Sequence, residues 1–240
     1  MRIKNIIGGL LLLTGSMLAA APAEISAETF LKMTRDRASL QNSFADLRGD
    51  VTHLRRNMGG AKRYPIRFVI LFDRSEVKAK LFINENEKHT FYRNMRRRGS
   101  AVSNVNVREP SLLSQLGFQI GDLTMDFLDN EVYKEFPSDT LKTLACRVLA
   151  LRGTDGKVVK VWVARDYLFP LRAEFFSSVE SLSGKPDRTL EITGFKKVND
   201  YYVATDIALF CSEFRSRIAF ADCKATSSNS TEAVTEFASK

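Results

Sequence analysis

Hydrophobic and polar side chains alternate at every second position over most of this chain, which is typical of β-strands with one buried face. Two such segments, residues 64–72 and 77–83, are joined by the polar residues 73–76. The first has Ile66, Phe68 and Ile70 on one face. The pattern therefore predicts an antiparallel hairpin that lies against a core.

The alternation returns at residue 140 and continues almost to the C-terminus. It predicts six further strands, at residues 144–150, 158–164, 171–176, 189–195, 201–211 and 217–223. The first two are joined by Asp155 and Gly156, which accommodate the positive φ angles of a tight hairpin turn. Short links make consecutive strands antiparallel neighbours. A long meander follows from this spacing.

Helical spacing is confined to two regions. Residues 28–40 predict one amphipathic helix. Residues 111–116 and 122–128 predict two short helices, flanked by Pro110, Gly117 and Gly121. The carboxylates Asp122 and Asp126 are spaced for one helix face and are interpreted as solvated or helix-start charges.

A single wide antiparallel sheet twists and tends to curl. Its concave face then needs a cover, and the predicted helices are the available elements. The expected fold class is α+β and mainly antiparallel β: a curved, half-open β-barrel that a few helices cap over an apolar cavity.

The N-terminus has the pattern of a secretory signal. Arg2 and Lys4 precede the apolar residues 6–21, and small residues follow up to Ala23. We expect removal of residues 1–23, with Ala27 as the latest cleavage point, and an exported, soluble, periplasmic protein. The expected domain spans residues 24–225, and residues 226–240 form a polar C-terminal tail.

The formal net charge is +8, and it falls to +6 without residues 1–23 because these carry two basic and no acidic residues. Nucleic acid is the usual partner of basic clusters, but export argues against it. One cluster contains Arg93, Arg96, Arg97 and Arg98. It predicts transient contact with an anionic membrane surface or a membrane protein, unless it is simply a solvated loop.

Catalytic and metal-binding motifs do not occur in the sequence, so we expect neither an enzyme nor a cofactor. Its two histidines, His53 and His89, lie in polar surroundings and have no metal-ligand spacing. Three cysteines, Cys146, Cys211 and Cys223, leave open one disulfide or none. Cys211 and Cys223 are out of register for a cross-strand bond, which favours a bridge to Cys146 or three small apolar core residues.

One stretch resembles a known family. Residues 157–176 read KVVKVWVARDYLFPLRAEFF and are followed by TLEITGFKKV at 189–198 and YVATDI at 202–207. This resembles the outer-membrane lipoprotein-sorting proteins of the LolA and LolB type, in which a strand with Trp-Val-Asp leads to Pro-Leu-Arg and then to Lys-Lys-Val. Ala164 and Ala204 depart from the family pattern, without breaking a strand.

The resemblance implies a sheet of about eleven strands over a hydrophobic cavity that takes up acyl chains. The function it implies is a periplasmic carrier of lipoprotein acyl chains or lipid between membranes. An envelope sensor or adaptor that binds a protein partner is the alternative, because the same fold serves both. Large aromatic residues near the apolar face are the cavity candidates, although the sequence does not tell which face is concave: Phe30, Phe68, Phe72, Phe82, Trp162, Phe175 and Phe210.

Overall fold

A computed structural model describes residues 25–40, 42–57, 59–95, 101–107 and 110–238. The predicted signal, residues 1–23, lies outside them. The first part of the described residues has one helix and five strands: α1 (Ala27–Leu40), β1 (Ser43–Arg55), β2 (Lys62–Phe72), β3 (Glu76–Ile83), β4 (Glu87–Asn94) and β5 (Val102–Val105).

Three short helical segments begin the second half: α2 (Leu112–Gln115), α3 (Ile120–Thr124) and a 3-10 helix (Asp126–Asp129). Seven strands and a last helix follow: β6 (Glu131–Leu141), β7 (Leu144–Arg152), β8 (Val158–Ala164), β9 (Phe169–Phe176), β10 (Arg188–Val198), β11 (Tyr201–Phe210), β12 (Phe214–Ser227) and α4 (Thr231–Ala238). A second 3-10 helix, Glu180–Ser183, links β9 to β10. No described helix has both the length and the apolar character that a membrane crossing requires.

The twelve strands form one antiparallel sheet in the order β5-β4-β3-β2-β1-β12-β11-β10-β9-β8-β7-β6. Two meanders, β1 to β5 and β6 to β12, are joined by the pairing of β1 with β12. The edge strands β5 and β6 are not paired with each other, and the chain between them carries α2 and α3. The predicted half-open barrel with a helical cap is confirmed, with twelve strands instead of about eleven.

The concave face of the sheet holds the main core. On β3, Val77, Ala79, Leu81 and Ile83 are completely buried, and the intervening Lys78, Lys80 and Phe82 face outward. Their inward neighbours on β2, β12 and the other strands join them in one cluster with side chains of α1 and α3. The period-two pattern thus corresponds directly to the two faces of the sheet.

The convex face is also covered in places. Phe44, Val69 and Leu71 form an apolar patch against Ala233 and Phe237 of α4. This helix lies in the segment predicted as a polar C-terminal tail, residues 226–240. The carboxylate of its Glu236 pairs with Arg67 at 2.9 Å and with Lys80 at 3.5 Å, which fixes α4 to β2 and β3.

The alternation did not reveal β1, β4, β5 or β6. On β4 the inward positions include Glu87, His89 and Arg93, so the buried face is largely polar. On β6 most side chains are exposed, and two register shifts interrupt its pairing with β7. Hydrophobic periodicity is a weak signal for such strands, because burial there does not follow side-chain polarity.

Gly49 lies at a register shift in β1, where the strand passes β12 at close range. A Cβ atom at this position would overlap the carbonyl oxygen of Ala219. Because that oxygen belongs to the backbone, the neighbour cannot rotate away. The joint between the two meanders therefore requires glycine at this point.

We predict that Gly49→Ala destabilises the protein by about 2 kcal/mol or more, because the new methyl group forces β1 away from β12. Gly59→Ala is the control, since a Cβ atom there meets nothing within 4 Å. Urea unfolding of both variants measures the difference. Equal urea midpoints for the two variants would contradict the close contact between Gly49 and Ala219.

Candidate functional site

A cavity of about 370 Å³ lies between the concave face of the sheet, α1 and the segment 120–129, which we call the cap. Residues 167–171, at the start of β9, form one side of its wall, and apolar side chains from four neighbouring strands form another. They are Ala45 and Leu47 of β1, Phe68, Ile70 and Phe72 of β2, Val203 and Ile207 of β11, and Phe220 and Ala225 of β12. The cap adds Leu123, Met125 and Leu128.

The cap is a tight double turn. Gln119 immediately precedes α3, and its backbone N–H donates a hydrogen bond to the Asp122 carboxylate at 2.8 Å. Met125 then adopts a positive φ of 56°, which ends α3 and starts the 3-10 helix. The reversal turns both Leu123 and Leu128 toward the cavity.

Three arginines from different elements hold the cap in place. Arg93 of β4 pairs with Asp129 at 3.1 Å, and Arg188 of β10 pairs with Asp122 at 2.6 Å. Arg35 of α1 donates to the carbonyl oxygens of Leu128 and Asn130, the latter at 2.7 Å. The cap is therefore bound to both walls of the barrel and to α1 by polar contacts.

Asp126 lies between these ion pairs. Burial is the main reason why its pKa rises to about 6, and the nearby carboxylates of Asp122 and Asp129 add to the rise while Arg93 opposes it. A Cβ atom on Gly121 would overlap the Asp126 carboxylate, so the carboxylate packs directly on the backbone of α3. Ionisation of Asp126 thus places a third negative charge in the cap.

We predict that Asp126→Asn stabilises the protein at pH 8 but not at pH 4. The folded-state pKa of about 6 exceeds the ordinary value of 3.8, so the folded chain holds this proton more tightly than the unfolded chain. That contribution is complete below about pH 4 and is lost as the pH rises through 6. An uncharged asparagine side chain at this position avoids the cost of ionising the buried carboxylate, which is about 2 to 3 kcal/mol at pH 8.

Chemical denaturation at pH 4 and pH 8 tests this prediction. Asp166→Asn, at an exposed turn residue, is the control and should leave the stability unchanged at both values. If Asp126→Asn stabilises the protein equally at both pH values, the raised pKa of Asp126 is not the cause of the gain and the prediction is wrong.

Of the seven aromatic residues predicted to line the cavity, four lie on the side of the sheet that faces it and three lie on the convex face. Phe68 and Phe72 line the cavity. Phe30 belongs to the buried core beside it, under the guanidinium of Arg147 at 4.7 Å. Phe175 packs against Phe127 of the cap with ring centroids 5.8 Å apart.

The other three candidates lie on the convex face, away from the cavity wall. Phe82 lies beneath Arg67, and Phe210 lies beneath Arg215. Trp162 belongs to a separate cluster with Cys146 and donates its indole N–H to Asp139. Strand parity explains the division, because each of the three alternates with residues of the main core on its own strand.

Arg93 does not lie on an exposed basic surface as predicted. It is 7% exposed and lines the cavity, because it shares the inward face of β4 with Phe91. Its Nε is buried without a hydrogen-bond partner. The other three arginines of that cluster, Arg96, Arg97 and Arg98, lie outside the described residues.

Asp122 differs from the sequence-based interpretation in a similar way. It does begin a helix, but it is 3% exposed and pairs with Arg188 instead of facing solvent. The sequence pattern does not indicate that Arg35 or Asp129 takes part in the site. A helical spacing of charges reveals a common face but not the arginines that approach it from distant strands, so the sequence carries no signal for these pairs.

A second, smaller cleft of about 170 Å³ lies at the other end of β1, between His53, Lys62 and α2. Ser216 donates to the carbonyl oxygen of Leu116 at 2.6 Å, so His53 Nδ1 carries a proton and donates to Ser216 at 2.8 Å. Burial, followed by the charges of Arg55 and Lys62, lowers the pKa of His53. Ser216 is completely buried, and this pair connects α2 to the sheet.

The cysteines are free thiols in the structure. Cys146 is buried on the convex face of β7, whereas Cys223 packs partly buried against the main core and pairs in register with Leu47. Burial raises the pKa of both thiols. Among the described residues, no group of three metal-ligating side chains is arranged to hold an ion.

A curved open barrel with a helical cap over an apolar cavity defines a class of fold, and solved structures share it. A putative outer membrane lipoprotein-sorting protein domain from Vibrio parahaemolyticus matches with a TM-score of 0.64 at 13% identity, over 87% of this chain and 95% of its own. A DUF1329 family protein from Desulfovibrio piger matches with a TM-score of 0.63 at 13% identity, over 88% and 97%.

A LolA superfamily protein from Nitrosomonas europaea matches with a TM-score of 0.57 at 17% identity, over 84% of this chain and 94% of its own. No protein-family model and no curated protein sequence matches the chain. The chain thus has the LolA-like fold, which confirms the architecture that the resemblance implied.

Proposed function

We propose that this protein is an exported, periplasmic carrier that takes up an acyl chain of a lipid or lipoprotein and releases it at a membrane. The observation that carries the proposal is the cavity of about 370 Å³ whose wall is mainly apolar. Its size is that of a small-molecule site. Each methylene group that leaves water for such a wall gains about 0.8 kcal/mol.

The way in which the cap is attached supports reversible loading. A cap that was sealed to the sheet only by apolar contacts would expose those surfaces to water when it opened. Here the ends of the cap are held by the ion pairs of Asp122 and Asp129. Because water solvates both charges when such a pair separates, the pairs add little to the cost of opening the cap, which comes mainly from exposing its buried Leu123, Phe127 and Leu128.

Lipid mass spectrometry of the protein purified from the periplasm of a bacterial host tests the proposal. We expect co-purified acylated molecules in a defined ratio to the protein. A preparation free of acyl lipid that captures a specific membrane protein would instead support the adaptor alternative.

We further predict that Ala45→Phe weakens binding of a fluorescent fatty acid at least tenfold. Ala45 lines the cavity opposite Ala225 on β12, so a phenyl ring there occupies the space of the ligand. Thr52→Phe, on the exposed face of the same strand, is the matched control and should bind as the wild type does. Equal affinities of the two variants would contradict the proposed location of the ligand.

A further inference from the structure

The cavity is small for the cargo of a lipoprotein carrier. A cavity of about 150 Å³ holds one benzene molecule, or about 25 Å³ for each carbon atom. By that ratio the cavity of about 370 Å³ holds roughly fifteen carbons. This is one acyl chain of ordinary biological length, and two or three chains side by side would exceed it.

The wall of the cavity carries more positive than negative side chains. Among the residues that the structure describes, three arginines, Arg35, Arg37 and Arg93, contribute to the lining, together with one acidic residue, Asp129. Arg93 pairs with Asp129, and Arg35 donates to the carbonyl oxygens of Leu128 and Asn130. These two cations therefore already have partners.

Arg37 is different. It lies one turn after Thr34 on α1, and both side chains line the cavity. Among the described residues it has no acidic partner, and its guanidinium donates no hydrogen bond. It is half-buried, so an anion beside it would interact through a partly desolvated contact.

We infer that the cavity takes one acyl chain at a time, from a single-chain amphiphile whose anionic head, carboxylate or phosphate, lies against Arg37. The inference rests on the proposed carrier function and specifies its cargo. It excludes simultaneous burial of all the chains of a diacyl lipid or a triacylated lipoprotein.

Titration calorimetry and native mass spectrometry with defined ligands test this inference. The single-chain anionic probes are palmitate and palmitoyl lysophosphatidate, which distinguish a carboxylate from a phosphate head. Hexadecanol is the neutral single-chain probe, and dipalmitoyl phosphatidate is the two-chain probe. We expect one bound molecule of either anionic single-chain probe, weaker binding of hexadecanol, and weaker binding of the two-chain lipid.

Arg37→Gln should weaken binding of the preferred anionic probe about tenfold and leave hexadecanol unaffected, because only the charged head loses its partner. Lys32→Gln removes the same charge from an exposed position of the same helix and is the matched control. Thermal unfolding checks that both variants are folded.

The outcomes separate the inference from the proposed function. If no probe with an acyl or alkyl chain binds, the carrier function itself is overturned. If the two-chain lipid binds as tightly as palmitate, or if Arg37→Gln binds all probes as the wild type does, the carrier function stands and the inference about its cargo is wrong.

Discussion

The pairing of β1 with β12 is the interaction on which the rest of the structure depends. It joins strands from opposite ends of the chain and converts two separate meanders into one sheet. Its register runs from Ser43 opposite Ser227 to Arg55 opposite Phe214, interrupted by the shift at Gly49. Four of the strands that line the cavity, β2, β1, β12 and β11, lie at or beside this joint, so its geometry shapes the cavity.

The open side of the barrel follows from the same topology. With β1 and β12 in the middle of the sheet, β5 and β6 become its edges, and the chain between them must cross the gap. The cap occupies that crossing. Its position over the concave face is thus a consequence of connectivity, and the arginines on β4, β10 and α1 define where it rests.

Polar groups inside the barrel have a role that hydrophobic burial could not fill. Arg93 and Asp122 are nearly inaccessible, yet each has a charged partner across the cap interface. Buried ion pairs add little net stability but require a specific geometry. Asp126, which titrates near pH 6 between them, makes the electrostatic energy of the closed cap depend on pH.

The strictly alternating strand β3 could be located from the amino-acid sequence, and so could β8, α1 and the turn at Gly156. Local periodicity is sufficient for β3 because this strand buries one face only, whereas β8 is buried on both faces. The same parity already separates Phe82 from Leu81 and Ile83. It does not show which face is concave, because that depends on the curvature of the whole sheet. Nor could it reveal the contacts of Arg93 or Arg188 with the cap, since these join residues far apart in the chain whose proximity arises only when the two meanders meet.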